Sequence, residues 1–279
     1  MNTHGIEMTN AGLDAAVAVS ALDEYGEPRA GHIASERPLT VYVDKREIVT
    51  LMTLGTRPEL LVLGWLRNQR LVRRPEQIRA VQVDWDTESA VVVTRDGIDN
   101  LDTRLSRKTV TTGCGQGTVF GSLMDDLEQI RLPPGTLRQS QLYALLANLN
   151  DYNAIYRRAG AVHGCALCRG TDVLHFVEDV GRHNAVDTLA GLMWLEDMPG
   201  DDLCFYTTGR LTSEMVIKVA QMGIPRLLSR SGLTHMGLDL ARRLGVTLVA
   251  RAKGQHFLVY HGAELVDFDA PPRRLSRRA

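Results

Sequence analysis

Val173-Leu174-His175-Phe176-Val177-Glu178-Asp179-Val180-Gly181-Arg182-His183-Asn184-Ala185-Val186-Asp187-Thr188-Leu189-Ala190-Gly191-Leu192-Met193-Trp194 is the stretch on which the fold turns. Val173 to Val177 is short, apolar and rich in β-forming residues, and it reads as a strand. From Gly181 to Trp194 the apolar positions Val186, Leu189, Ala190 and Met193 recur at helical spacing, so a helix follows. The same change of period repeats around it. Strands predicted at Ala161 to Cys168, Leu203 to Thr207, Arg226 to Ser229, Thr247 to Ala250 and Phe257 to Tyr260 are interleaved with helices at Ser213 to Met222 and Thr234 to Leu244. Such alternation predicts an α/β layer architecture with helices covering a sheet, within a chain that is α+β overall.

The upstream part reads differently. Leu39 to Val43, Ile48 to Met52, Ile78 to Trp85 and Ser89 to Thr94 are predicted strands, with one helix at Leu60 to Gln69. Thr56 is the expected helix cap, Pro58 stands in the first turn and Glu59 at the positive end of the dipole. Residues 1–36 lack a clear period and read as a loose N-terminal extension. The pattern therefore divides the chain into a strand-rich N-terminal domain over 37–120, a helical connection over 121–158, an α/β domain over 159–268 and a basic tail over 269–279. Helices at Ser122 to Ile130 and Ser140 to Tyr156 are expected in the connection.

Composition bounds the function. The 279 residues correspond to one large domain or two modest ones, at about 150 residues each. Lys plus Arg total 32 against 33 Asp plus Glu, a balance that argues against a nucleic-acid binder relying on wholesale phosphate neutralisation. The longest uncharged run, Thr109 to Met124, has 16 residues and four glycines, too short and too glycine-rich for a spanning helix. The first residues lack a basic segment followed by an apolar core, which argues against a secretory signal. Four cysteines, at 114, 165, 168 and 204, are too few for a disulfide framework, so a reduced cytoplasmic protein is expected.

The chemistry-bearing residues fall in loops. Cys114 lies between two glycines in Thr112-Gly113-Cys114-Gly115-Gln116-Gly117, where the missing side chains let a sulfur be presented to a large partner. Arg104, Arg107, Lys108 and the helix expected from Ser122 are candidates for lowering its pKa. His163, Cys165 and Cys168 have the look of a zinc motif. On a strand, however, residues three apart point to opposite faces, which favours core packing for the two thiols. Cys204 reads as a buried strand residue. Glu178 to Asn184 admits two readings. In one, Asp179 caps the helix and Arg182 pairs with Glu178; in the other, the corner contacts a ligand at a strand end. Thr208 to Glu214 and Ser229 to Thr234 repeat the geometry with hydroxyls, glycine and arginine, a set suited to an anion at helix N-termini. Arg251-Ala252-Lys253-Gly254-Gln255-His256 joins two strands, either as a solvated hairpin or as a cationic loop over a phosphorylated ligand.

In this order, these segments resemble the formate dehydrogenase accessory sulfurtransferase family, FdhD. The matching pieces are Arg37 to Val41, Thr112 to Gly115, Glu178 to Asp187, Gly209-Arg210 with Ser213 to Val216, and Thr247 to Val249. The resemblance implies a cytidine-deaminase-like three-layer αβα domain without deaminase zinc chemistry, beside the smaller strand-rich domain. It implies a sulfurtransferase that accepts sulfur from a cysteine desulfurase as a persulfide on Cys114. The sulfur then passes to the molybdenum cofactor, bis-molybdopterin guanine dinucleotide, before its insertion into apo formate dehydrogenase. The family's cofactor loop falls on Arg251, Ala252, Lys253, Gly254, Gln255 and His256, and a homodimer is implied as well. Family members often carry a second loop cysteine where this chain has Gly117, and Gly-Phe where it has Ala250-Arg251. Without a second thiol, a persulfide on Cys114 has no neighbour with which to collapse to a disulfide. Two other readings stand beside this one: a cofactor-binding chaperone in which Cys114 is dispensable, and a zinc hydrolase of the deaminase type using His163 and Cys165.

Overall fold

The computed structural model describes residues 4–99, 101, 127 and 129–272. Cys114 with its glycine loop, the neighbouring cations, most of the helix expected from Ser122 and the basic end of the chain lie outside the described residues.

The chain begins with β1 (Glu7–Met8), β2 (Ala16–Leu22) and β3 (Pro28–Ala34), where the sequence reading expects a loose extension. The physical reason is local for one part and distant for the other. Asp23 accepts hydrogen bonds from the backbone N–H groups of Tyr25 and Glu27, both at 3.0 Å, and from Arg29 Nε at 2.8 Å, which closes the β2–β3 hairpin. β1 pairs with a strand more than seventy residues away, which no local pattern announces. β4 (Arg37–Val43), β5 (Arg46–Thr53), α1 (Pro58–Asn68), β6 (Ile78–Asp84) and β7 (Ser89–Thr94) complete the N-terminal part. Its sheet runs β1-β6-β7-β4-β5. Leu39, Val41, Leu51, Val81 and Val92 on one face meet Leu61, Trp65 and Leu66 of α1.

Arg57, not Thr56, is the N-cap of α1, and its side chain makes no capping bond. Glu59 is buried and accepts from Thr9 Oγ1 and Ala11 N, both at 2.7 Å, so it fastens the N-terminal segment.

The second part contains β8 (Leu137–Arg138), α2 (Gln139–Asn148), α3 (Ala154–Ala159), β9 (His163–Arg169), β10 (Asp172–Asp179), α4 (Arg182–Leu195), β11 (Cys204–Thr207) and α5 (Ser213–Gln221). β12 (Arg226–Ser229), α6 (His235–Leu244), β13 (Thr247–Lys253), β14 (His256–His261) and β15 (Val266–Asp267) follow. Six strands form one sheet, β10-β9-β11-β12-β13-β14, whose central trio β11, β12 and β13 is parallel. The period of two then sorts side chains between layers. Cys165, Leu167 and Phe205 join the core under α4, α5 and α6, while Ala166, Cys168 and Cys204 join the core under α2. The result is a three-layer αβα arrangement beside a smaller, strand-rich part.

Two glycines set how the parts meet. A Cβ at Gly64 of α1 would lie 1.6 Å from the carbonyl oxygen of Asp187, and one at Gly191 of α4 would lie 2.1 Å from that of Leu60. The two helices therefore cross backbone to backbone. A polar joint completes the seam: Asp179 accepts from Thr53 Oγ1 at 2.6 Å and from Asn184 Nδ2 at 2.9 Å, and Asn184 Nδ2 also donates to Met52 O at 2.6 Å.

Candidate functional site

One edge of the six-stranded sheet collects the polar residues singled out in the sequence. The register places His163 beside Asp179, Cys165 beside Thr207, and Thr207 beside Ser229. The ends of β10, β11 and β12 and the start of β9 thus share this edge. The chain turns there into the N-termini of α4, α5 and α6, whose unpaired N–H groups give it positive potential. Ligands in open α/β sheets bind at such edges.

Buried hydroxyls build the turns. Thr207 Oγ1 accepts from Gly209 N at 3.1 Å, and Ser229 Oγ donates to Gly209 O at 2.6 Å and accepts from Ser231 N at 2.9 Å. Arg230 N donates to Thr207 O, and Arg251 N to Ser231 O, so successive turns are tied side by side. Gly209 has a steric purpose, because a Cβ there would stand 2.7 Å from Arg182 Cδ. Its absence lets the arginine stem cross the β11–α5 turn.

The electrostatics of the edge are dominated by cations. His163 is half-buried, with Nδ1 3.4 Å from Thr208 Oγ1. Its pKa is lowered by burial first and then by Arg182, Arg210 and Arg230. His183 is only 2% exposed, and burial, aided by Lys218 and Arg182, pushes its pKa down to about 2. It is therefore a neutral imidazole. Its Nε2 lies 3.3 Å from Glu214 Oε2 without hydrogen-bond alignment.

Beneath the edge runs a buried ionic chain that the sequence reading did not anticipate. Lys218 Nζ donates to Asp187 Oδ2 at 2.8 Å and lies 3.6 Å from Glu214 Oε1, and Asn68 Nδ2 donates to Asp187 Oδ1 at 2.7 Å. Burial raises the Asp187 pKa against the opposing pull of Lys218 and Asn68. A lysine amid Met215, Val216, Ile217 and Val219, four residues after a glutamate, was the available signal.

The expected caps and pairs at Glu178–Asn184 differ in detail. Gly181 is the N-cap of α4, and Asp179 is used at the interdomain joint. Glu178 does not pair with Arg182; its carboxylate accepts from Ile155 N and Tyr156 N, both at 2.9 Å, at the start of α3. The Arg182 side chain is buried at 3% exposure, with Nε and Nη2 lacking hydrogen-bond partners.

Cys165 and Cys168 face opposite layers, as period two requires, so they cannot share an ion. No group of three or more His, Cys, Asp or Glu side chains suited to a metal ion occurs among the described residues. Burial pushes the thiols of Cys165 and Cys204 up to about 12 and raises that of Cys168 as well. Arg251 to His256 forms the β13–β14 hairpin, paired Lys253 to His256. Arg251 has a positive φ of 53°. Ala252 is buried in the α2-side core while Arg251, Lys253, Gly254, Gln255 and His256 are exposed. The hairpin thus displays cations at the same edge as Ser231.

This assembly of motifs has counterparts in known proteins. The model of the FdhD/NarQ family matches residues 34–267. The chain belongs to that family. FdhD-type relatives span nearly its whole length. The protein named sulfur carrier protein FdhD of Listeria monocytogenes serotype 4b is 28% identical over 238 residues, covering 84% of this chain and 91% of the relative. That of Wolinella succinogenes is 27% identical over 243 residues, covering 87% and 85%. A crystal structure described as a formate dehydrogenase accessory protein, from Desulfotalea psychrophila, superimposes with a TM-score of 0.74 at 27% identity, covering 91% of this chain and all of that one. No helix among the described residues is long and apolar enough to cross a membrane.

Proposed function

We propose that this FdhD-family protein is a sulfur carrier in the maturation of formate dehydrogenase. It takes sulfur from a cysteine desulfurase as a persulfide on Cys114 and passes it to bis-molybdopterin guanine dinucleotide before that cofactor enters the apoenzyme. Its relatives are named sulfur carrier proteins; in this reading the chain acts as a sulfurtransferase, in the cytoplasm and as a homodimer.

The observation that carries the reading is the cationic sheet edge. Three helix N-termini and the exposed Arg210, Arg230, Arg251 and Lys253 suit a ligand bearing several phosphates, and Arg210 and Arg230 add to burial in lowering the His163 pKa. In this reading the hairpin from Arg251 through Ala252, Lys253, Gly254 and Gln255 to His256 holds the dinucleotide, a role its exposed Arg251 and Lys253 support. The sulfur step is supported by elimination: Cys165, Cys168 and Cys204 are buried with raised pKa values, and a thiol is nucleophilic only as its thiolate. Cys114, flanked by glycines, is the remaining thiol. Its thiolate attacks the outer sulfur of the desulfurase persulfide, the donor S–S bond breaks, the desulfurase thiolate leaves, and Cys114 holds the persulfide with no net oxidation. Delivery regenerates the Cys114 thiolate as the outer sulfur passes to the cofactor, which supplies the electron pair for the new bond.

The test is intact mass after incubation with a cysteine desulfurase and free cysteine, followed by peptide mapping. One added sulfur on the Cys114 peptide, removed by reductant and absent in Cys114→Ala, is expected. A Cys114→Ala protein that still matures formate dehydrogenase would overturn the carrier step and leave a cofactor chaperone.

A further inference from the structure

Arg182 poses an energetic problem that the fold does not solve. A guanidinium taken out of water is costly unless its N–H groups are paired. Yet Arg182 is 3% exposed, and Nε and Nη2 have no hydrogen-bond partner. The carboxylates of its own region are committed elsewhere. Glu178 holds the first N–H groups of α3, Asp179 holds Thr53 and Asn184, and Asp187 holds Lys218 and Asn68. Glu214 lies beside Lys218 and His183.

The orphaned groups extend beyond one residue. Both ring nitrogens of His183, at 2% exposure, lack hydrogen-bond partners, as does Thr212 Oγ1 at 4% exposure. Thr212 is the N-cap of α5 and makes no capping bond with its side chain, while Arg182 and His183 open α4. Two helix N-termini with buried, unpaired polar side chains thus meet across the β11–α5 turn. The Arg182 stem lies over Gly209, three residues before Thr212, and Glu214, two residues after it, stands 3.3 Å from His183.

We propose that Arg182, His183 and Thr212 form a binding pocket for one phosphate-class oxyanion, separate from the Arg251–His256 hairpin. The Nε/Nη2 edge of arginine is the fork that takes two oxygens of an oxyanion at once. An imidazole N–H from the next residue of α4 and a hydroxyl from the N-cap of α5 suit the further oxygens of a tetrahedral group better than the two coplanar oxygens of a carboxylate. The neighbouring Arg210 and Arg230 and the two helix dipoles add charge of the right sign. The pocket does not depend on sulfur transfer, and it serves equally a phosphate of a bound dinucleotide or free phosphate.

Calorimetric titration of the full chain with inorganic phosphate and with pyrophosphate, at low ionic strength and without sulfur donor, tests the pocket. Arg182→Met is expected to weaken binding by about 10- to 100-fold, the range for a lost charge-assisted pair of hydrogen bonds. Arg182→Lys, a point charge without the fork, is expected to recover only part of that loss. Without ligand, Arg182→Met should melt no lower than wild type, because it removes an unpaired buried charge; a residue serving structure alone would give a lower melting point. Pyrophosphate affinity reduced by Arg182→Met and also by the Arg251→Ala/Lys253→Ala pair supports the pocket and assigns it to the dinucleotide. Inorganic phosphate affinity reduced by Arg182→Met alone supports it for the free anion. Unchanged affinity of both anions in Arg182→Met, or no binding to wild type, overturns it.

Discussion

Replacing Lys218 by Met removes the one cation of the buried ionic chain while keeping an unbranched stem of similar length. Lys218 and Asp187 are 1% and 0% exposed. At 2.8 Å their gross attraction is about 6 kcal/mol with an effective dielectric near 20, and the Glu214 contact at 3.6 Å adds about 5 kcal/mol. Much of this offsets desolvation, which costs several kcal/mol per ion. The asymmetry decides the outcome: losing one partner leaves Asp187 buried and uncompensated, for a net loss of about 3–5 kcal/mol. Asn68 still donates to Asp187, so the lower half of that range is expected. Urea denaturation at neutral pH measures it. Lys218→Met combined with Asp187→Asn removes both charges while leaving Asn68 an acceptor, and it should regain most of the loss. A single variant within about 1 kcal/mol of wild type, or a double variant as unstable as the single, would refute the reasoning.

Gly64→Ala or Gly191→Ala should each force α1 away from α4, since the added Cβ meets rigid backbone at 1.6 Å and 2.1 Å respectively. A cost of about 3 kcal/mol or more is expected, at the upper end for overpacking, read as a lowered urea midpoint or failure to accumulate folded protein. Stability should also fall as pH drops below neutrality. His183 stays neutral in the fold down to about 2 but takes a proton near 6.5 when unfolded, so below that pH the unfolded state binds more protons. The slope is about 1.4 kcal/mol per pH unit, or about 2 kcal/mol by pH 5, and His183→Asn should flatten it by one proton; an unaltered slope in that variant would show that His183 is already charged or exposed.

How much of this was legible in the sequence depended on the range of the interaction that decides each element. The strands β9 to β14 and the helices α4 to α6 follow from local period and from turn residues, and the structure reproduces them within a few residues. The motifs at Glu178–Asn184, Thr208–Glu214 and Ser229–Thr234 were also legible as junctions, since strand ends and helix starts carry their own residue types. Their pairing was not. Sequence proximity suggested Arg182 with Glu178, whereas the fold brings α3 to Glu178 and leaves Arg182 Nε and Nη2 without a hydrogen-bond partner from the protein. In the same way the 1–36 segment lacked a period because β1 is held by β6, and its Ile6 is buried in a core built by residues far along the chain. Cys114 is marked by its glycines alone, a statement about the chain that needs no fold. By itself, then, the sequence determined where the layers alternate and which residue types stand at each junction, because these depend on neighbours within a few positions. Only the tertiary structure decided which of those residues end up charged, neutral or unpaired, because burial and field are summed over groups that the chain brings together from opposite ends.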